Sequence, residues 1–271
     1  MRRLVNSGVP LADAALAVNS QDPSEHDVPA RVDARTARPP RLVAVPNHDD
    51  EQTPSMGRAG GGQIIPIPGA APGARGLARA AQALDIAACI NLISESLDKR
   101  GVMWTWEHLI APVLVAVGEQ WQLTGRGVEV EHALSEAIET ALKREASHLS
   151  SPLNVRPILL ASAPEDHHSL PLYALAAALA ERGISTRVLG TRLPTSALQQ
   201  SVSRIGPAAV FLWAQIPGTA DAFAATRLPV TRPGVTIVLG GPGWSGELPA
   251  GVARASSLDD ATAQIARAVG E

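Results

Sequence analysis

The spacing of apolar residues changes near residue 150, and this switch limits the fold more than any other feature. Before it, apolar side chains recur at helical intervals. Ile86, Ile90, Ile93 and Leu97 form one stripe, Trp106, Leu109, Ile110, Val113, Leu114 and Val117 a second, and Leu134, Ile138, Ala141 and Leu142 a third. Stripes of this period are the buried faces of amphipathic helices. Breaks fall at Gly101 and at Thr124-Gly125-Arg126-Gly127. Three or four helices joined this tightly predict an antiparallel bundle over 77–150.

After the switch, short apolar runs alternate with helical stretches. Pro157–Ala161, Ser185–Gly190, Ala208–Trp213, Val235–Leu239 and Val252–Ser256 read as strands. Leu170–Arg182, Thr195–Ile205 and the stretch near 259–269 read as helices. This alternation predicts a doubly wound parallel sheet over 156–271, so the fold class is α plus α/β. In such sheets ligands bind outside the carboxyl ends of the strands.

The N-terminal part differs in composition. Residues 21–76 hold nine prolines and seven glycines, and all eight Trp, Tyr and Phe lie at or after Trp104. A stretch so poor in apolar bulk cannot offset its ordering entropy, so 21–76 is expected to be a disordered linker. Residues 1–20 read as two short helices around Gly8-Val9-Pro10, too little for an independent core. The single cysteine, Cys89, excludes an intrachain disulfide framework and a Cys-rich zinc site, and suits a reducing cytoplasm. No uninterrupted apolar run approaches 18 residues and the N-terminus has no signal-type apolar core, so neither a membrane span nor secretion is expected. The net charge of −3 points to no class of partner.

Three motifs could carry chemistry. The first is Ala163-Pro164-Glu165-Asp166-His167-His168-Ser169-Leu170, between the first strand and its helix. An Asp two residues before a His can orient the imidazole and raise its basicity as a ligand. The plainer reading is a solvated loop with a helix-capping Asp. The second is Gly240-Gly241-Pro242-Gly243, where glycines permit close backbone approach to a ligand. Any tight strand-to-helix turn looks the same. The third is Trp121, separated by nine residues from Glu131-His132, so that the end of one helix and the start of the next can meet. Taken singly, such a Trp is a core residue and such a His a surface one.

Together these features resemble cobalamin-binding modules. Trp121, Glu131 and His132 match the Trp-x9-Glu-His pattern of the adenosylcobalamin-binding MerR-family regulators, the CarH/LitR-type photoreceptors. Residues 1–20 resemble the last helices of a MerR helix-turn-helix domain, in Arg2-Arg3-Leu4-Val5 and Gly8-Val9-Pro10-Leu11-Ala12-Asp13-Ala14-Ala15. The resemblance covers 1–20 and about 77–271. It implies a helical cap over a Rossmann-like, flavodoxin-like cobalamin domain. It implies that His168 is the lower axial ligand of cobalt, with Asp166 behind it; the other register uses Glu165 and His167. It implies further that Trp121, Glu131 and His132 cover the adenosyl face, and that Trp213, Gly240 and Gly241 border the cofactor's nucleotide tail.

The departures from the family pattern matter as much. Pro171 stands where the Asp-x-His-x-x-Gly motif has Gly. Trp213-Ala214-Gln215 replaces a Ser-x-Leu, and an indole there could fill the tail slot. Gln122 stands where light sensors often have His, which puts a second histidine ligand in doubt. Only the end of a DNA-binding domain is present, so DNA is expected as a partner only if a full domain lies upstream. The resulting expectation is a cytoplasmic, homo-oligomeric, non-enzymatic sensor of adenosylcobalamin or light. The alternatives are a degenerate module binding a bilin or no cofactor, and a corrinoid carrier of a methyltransferase system.

Overall fold

The computed structural model describes residues 71–216, 220–222, 227–229, 231–245 and 247–270. The segment 1–20 and the linker up to residue 70 lie outside the described residues. The linker's expected end needs correction. Helix α1 spans Pro72–Gln82, starting inside the range read as linker. Pro72 sits in its first turn, where a missing N–H costs nothing, and Ala74, Leu77, Ala78 and Ala81 are buried.

Helix α2, Ile86–Thr105, is capped by Asp85, whose carboxylate accepts from the Ala88 N–H at 2.9 Å. It is broken at Gly101, whose φ of 77° and ψ of 173° leave the helical region. A five-residue π-helical turn, Trp106–Ile110, links α2 to α3, Ala111–Thr124. The wide turn lies just before Pro112, which has no N–H to donate to the preceding turn and whose ring would crowd its carbonyl. Gly125 and Gly127, both at positive φ, reverse the chain into α4, Val128–Ser147. By length and composition alone the run Ile86–Thr124 is long and apolar enough to span a membrane. One side of it forms a wall of the bundle core, where Ile93, Leu97, Val102, Leu109, Ile110 and Val113 are buried. Leu134, Ile138, Ala141 and Leu142 of α4 complete that core.

The second half is a five-stranded, wholly parallel sheet. Its strands are β1 (Ile158–Ser162), β2 (Thr186–Gly190), β3 (Ala209–Trp213), β5 (Thr236–Gly240) and β7 (Val252–Ala255), in the order β2-β1-β3-β5-β7. A separate ribbon pairs β4 (Ala220–Asp221) with β6 (Trp244–Ser245), a feature the strand pattern did not announce. The order is that of flavodoxin-like sheets, with the crossover direction reversing between β1 and β3. Helices α5 (Leu170–Glu181) and α7 (Leu258–Ala268) share one apolar core with the sheet. Helix α6 (Thr195–Ile205) packs into the core on the opposite face.

Helix α5 joins the two halves. Leu172, Leu175, Ala176 and Leu179 enter the sheet core, whereas Ala174, Ala177 and Ala178 enter the bundle core. A helix buried on both sides has to be apolar all round, and small residues let the neighbouring helix come close. The bundle therefore lies against one face of the sheet mainly across α5, with Leu258 of α7 also packed against the bundle core.

Truncating a side chain in this shared core should be expensive. Leu142→Ala is expected to cost about 2–5 kcal/mol of unfolding free energy. Leu123→Ala, at a position 83% exposed on α3, should change it by less than about 0.5 kcal/mol. The difference is read from urea midpoints of the two variants.

Candidate functional site

The site forms at the carboxyl ends of β1, β3 and β5, and Asp166 organises it. This carboxylate is fully buried. One oxygen accepts from the His168 backbone N–H at 2.8 Å and lies 3.0 Å from His168 Nδ1. The other accepts from the Gln215 N–H at 2.5 Å and the Ile216 N–H at 3.3 Å. The loop after β1 is thus tied to the loop after β3, at the point where the sheet changes direction. Burial by itself would raise the Asp166 pKa. The bonds from His168 and Gln215, and the charge His168 can carry, outweigh burial and hold the carboxyl below its ordinary range.

With Nδ1 turned to Asp166, the His168 ring has Nε2 left to act as an acceptor. The side chain is 36% exposed, and the Ser162 hydroxyl donates to its backbone carbonyl at 2.9 Å. A carboxylate behind a half-exposed imidazole is the arrangement that makes a histidine a good metal donor. Among the described residues no group of three or more His, Cys, Asp or Glu could hold a free metal ion. One histidine is enough only for a metal already held by a macrocycle, as in haem proteins. Next to His168, the Ser169 hydroxyl points to Glu139 of α4 at 3.3 Å, so this loop also touches the bundle.

Beside the loop lies a cavity of about 450 Å³, walled by Trp106, Pro171, Ala174, Leu175, Phe211 and Trp213, with Gly240, Gly241 and Arg254 also on its lining. Trp213 is one of the residues that line this cavity. Its ring stacks on Phe211 at 6.5 Å, and its Nε1 is buried without a partner. An orphaned buried donor costs free energy until a ligand supplies an acceptor. The glycines are required by close approach. A Cβ on Gly240 would come within 2.4 Å of Phe211, and one on Gly241, at φ +92°, within 2.2 Å of the Ala214 carbonyl oxygen. The chemistry of this lining fits a flat, mostly apolar group with an acceptor, and His168 fits an axial ligand.

The third motif occupies one end of the bundle. The Gly125 N–H donates to the Trp121 carbonyl at 2.7 Å, and the Glu131 N–H to the Gly127 carbonyl at 3.0 Å, so both arms grow from the same turn. Trp121 is buried. Glu131 accepts from the Ser135 hydroxyl at 2.9 Å and lies 2.7 Å from His132 Nδ1, and His132 is exposed. Neither this trio nor the Asp166–His168 pair lines the cavity. Trp106 and Arg254 do, and the motifs missed both. Trp106 had the spacing of a core residue, and Arg254 projects from a strand whose register only the sheet defines.

Asp166→Asn should lower stability by about 1–3 kcal/mol at neutral pH. A carboxyl whose folded pKa lies below its unfolded one stabilises above the unfolded value and loses that contribution as pH falls through the folded value. The gap in urea midpoint between parent and variant should therefore close below the ordinary carboxylate range.

Residues 74–144 match the family model described as B12 binding domain, about a quarter of the chain. A curated relative, the HTH-type transcriptional repressor CarH of Myxococcus xanthus, is 28% identical over 173 residues, covering 62% of this chain and 54% of that protein. The match thus spans about half of that relative's length. Among solved structures, the monomethylamine corrinoid protein of Methanosarcina barkeri aligns over 70% of this chain and 94% of its own, at 15% identity and a TM-score of 0.51. A novel cobalamin-binding protein from Desulfitobacterium hafniense DCB-2 aligns over 72% and 97%, at 18% identity and a TM-score of 0.34. The fold is that of a helical region followed by a parallel five-stranded sheet with its helices, and the findings support a cobalamin-binding protein.

Proposed function

We propose that the chain is the sensory part of a MerR-type transcriptional regulator, holding adenosylcobalamin between the bundle and the sheet. The observation that carries the reading is the buried Asp166 carboxylate bonded to His168 at the sheet's change of direction, with an aromatic-walled cavity beside it. The B12-binding match of the bundle supports the ligand class, and the similarity to a transcriptional repressor supports the regulatory branch.

In this reading His168 offers Nε2 to cobalt and Asp166 holds the opposite proton. Trp213, Gly240 and Gly241 receive the nucleotide tail. Trp121 covers the adenosyl group, and Glu131 accepts from its ribose hydroxyls. Bound adenosylcobalamin supplies a cobalt–carbon bond that light can cleave. Losing the adenosyl group would leave the Trp121 lid without its contacts and shift the population of assembly states. No turnover is required. The protein would act as a cytoplasmic homo-oligomer, and would contact DNA only through a complete N-terminal domain.

The test is the absorption spectrum of protein incubated in the dark with adenosylcobalamin and then desalted. Retained cofactor with a histidine-ligated spectrum is expected. His168→Ala should abolish that spectrum, while His167→Ala should be milder. If His167→Ala alone abolishes it, Glu165 and His167 form the ligand pair. Elution from a sizing column should differ between dark and light. Identical elution in dark, in light and without cofactor would refute switching, and methyl transfer to a partner methyltransferase would favour a corrinoid carrier. No retained cobalamin would favour a module for a bilin or for no cofactor.

A further inference from the structure

The break in α2 is held by a residue from the other half of the protein. Gly101 leaves the helical region, and a new helical run starts at Val102. Val102 is fully buried, and its N–H has lost the partner an unbroken helix would provide. That N–H donates to Glu181 Oε1 at 2.8 Å, across 79 residues of sequence. Glu181 is the last residue of α5, the helix shared by both cores. It therefore acts as an N-cap supplied from elsewhere in the chain, with its charge at the favourable end of the helix dipole. Gly101 leaves room for this contact, because a Cβ there would lie 3.2 Å from the same carboxylate oxygen.

One helical turn after Val102 comes Trp106, on the same helix face. Trp106 lines the cavity together with Ala174 and Leu175 of α5. The segment 102–106 thus runs along α5, fixed at one end by Glu181 and closing the cavity wall at the other. Besides Ser169–Glu139, this is a polar contact that sets the bundle's position on the sheet. The Glu181 carboxyl is kept there at some cost. Burial, together with the nearby Glu145 charge, raises its pKa, and the Val102 bond only partly opposes them.

We propose that Glu181 is a positioning residue for the cavity. By capping the helix that begins at Val102 it seats Trp106 in the wall, and so sets how well the cavity accepts the tail of a complete corrinoid. This rests on the cobalamin reading for the identity of the ligand, but the seating of Trp106 does not.

The experiment uses the full chain with Glu181→Ala, Glu181→Gln and Trp106→Phe. Affinities are measured for hydroxocobalamin and for cobinamide, which lacks the tail. Glu181→Ala should weaken hydroxocobalamin by about tenfold, the loss of one half-buried, charge-assisted hydrogen bond, and cobinamide by much less. Glu181→Gln keeps an acceptor for Val102 and should stay near the parent. Adding Trp106→Phe to Glu181→Ala should cause little further loss, because both act through one wall. Equal weakening of both corrinoids, or none, would overturn the proposal. A second readout needs no ligand: the fluorescence difference between proteins with and without Trp106→Phe, taken in the parent and in the Glu181→Ala background. A red-shifted difference after Glu181→Ala sustains the seating role, and an unchanged one overturns it. If the parent binds neither corrinoid, the cobalamin reading fails, and the fluorescence alone decides the role of Glu181.

Discussion

A carboxylate with no exposed surface must find a donor for each of its oxygens or stay protonated. Asp166 finds them in two loops at once, the one that begins α5 and the one that follows β3. Much of the site depends on this. His168 is turned by the same group, and Gln215 is fixed two residues beyond Trp213. The loop after β3 in turn meets the glycine loop, since the Ala214 N–H donates to the Gly240 carbonyl at 3.0 Å and Gly243 donates to the Ala214 carbonyl at 2.8 Å. The carboxyl ends of three strands are thereby joined by hydrogen bonds that begin at one side chain.

The site is made from two kinds of parts. The loop after β1 is polar, and its geometry is fixed by hydrogen bonds that Asp166 accepts from His168 nearby and from Gln215 and Ile216 of the loop after β3. The cavity is assembled from distant pieces: the π-helical turn at Trp106, the start of α5, the end of β3, the glycines after β5 and the first residues of α7. It depends on how the bundle lies on the sheet. A change at Asp166 should therefore act on the ligand donor and on stability, whereas a change at the bundle–sheet contact should act on cavity shape.

The strands and helices of the sheet half were legible because each is short, strongly patterned and bounded by glycine or proline. Gly183, Gly190 and Gly206 all take the positive φ that such boundaries require. Gly101 was legible as a break, but what holds the break was not, since no pattern links position 102 to position 181. The Asp166–His168 spacing suggested a hydrogen bond, yet the two backbone N–H groups that complete the set come from the loop after the third strand, some fifty residues on. The indole of Trp213 looked large enough to fill a slot. In the folded chain it stacks on Phe211 and lines the cavity, contacts that packing and not spacing defines. The start of α1 was misplaced because Pro72, Gly73 and Gly76 carry the composition of a linker, although Ala74 and Leu77 are core residues.

Helix α5 has a consequence for how the protein is made. The bundle core includes Ala174, Ala177 and Ala178, which are synthesised some thirty residues after the last turn of α4. As the chain leaves the ribosome, the four bundle helices emerge before α5 and lack one wall. They cannot bury that side until α5 arrives, and α5 cannot settle until the strands that flank it in space, including β3, have formed. The change of period near residue 150 divides the sequence into two halves, but the protein's two cores share α5, so neither half is closed without a helix that belongs to both.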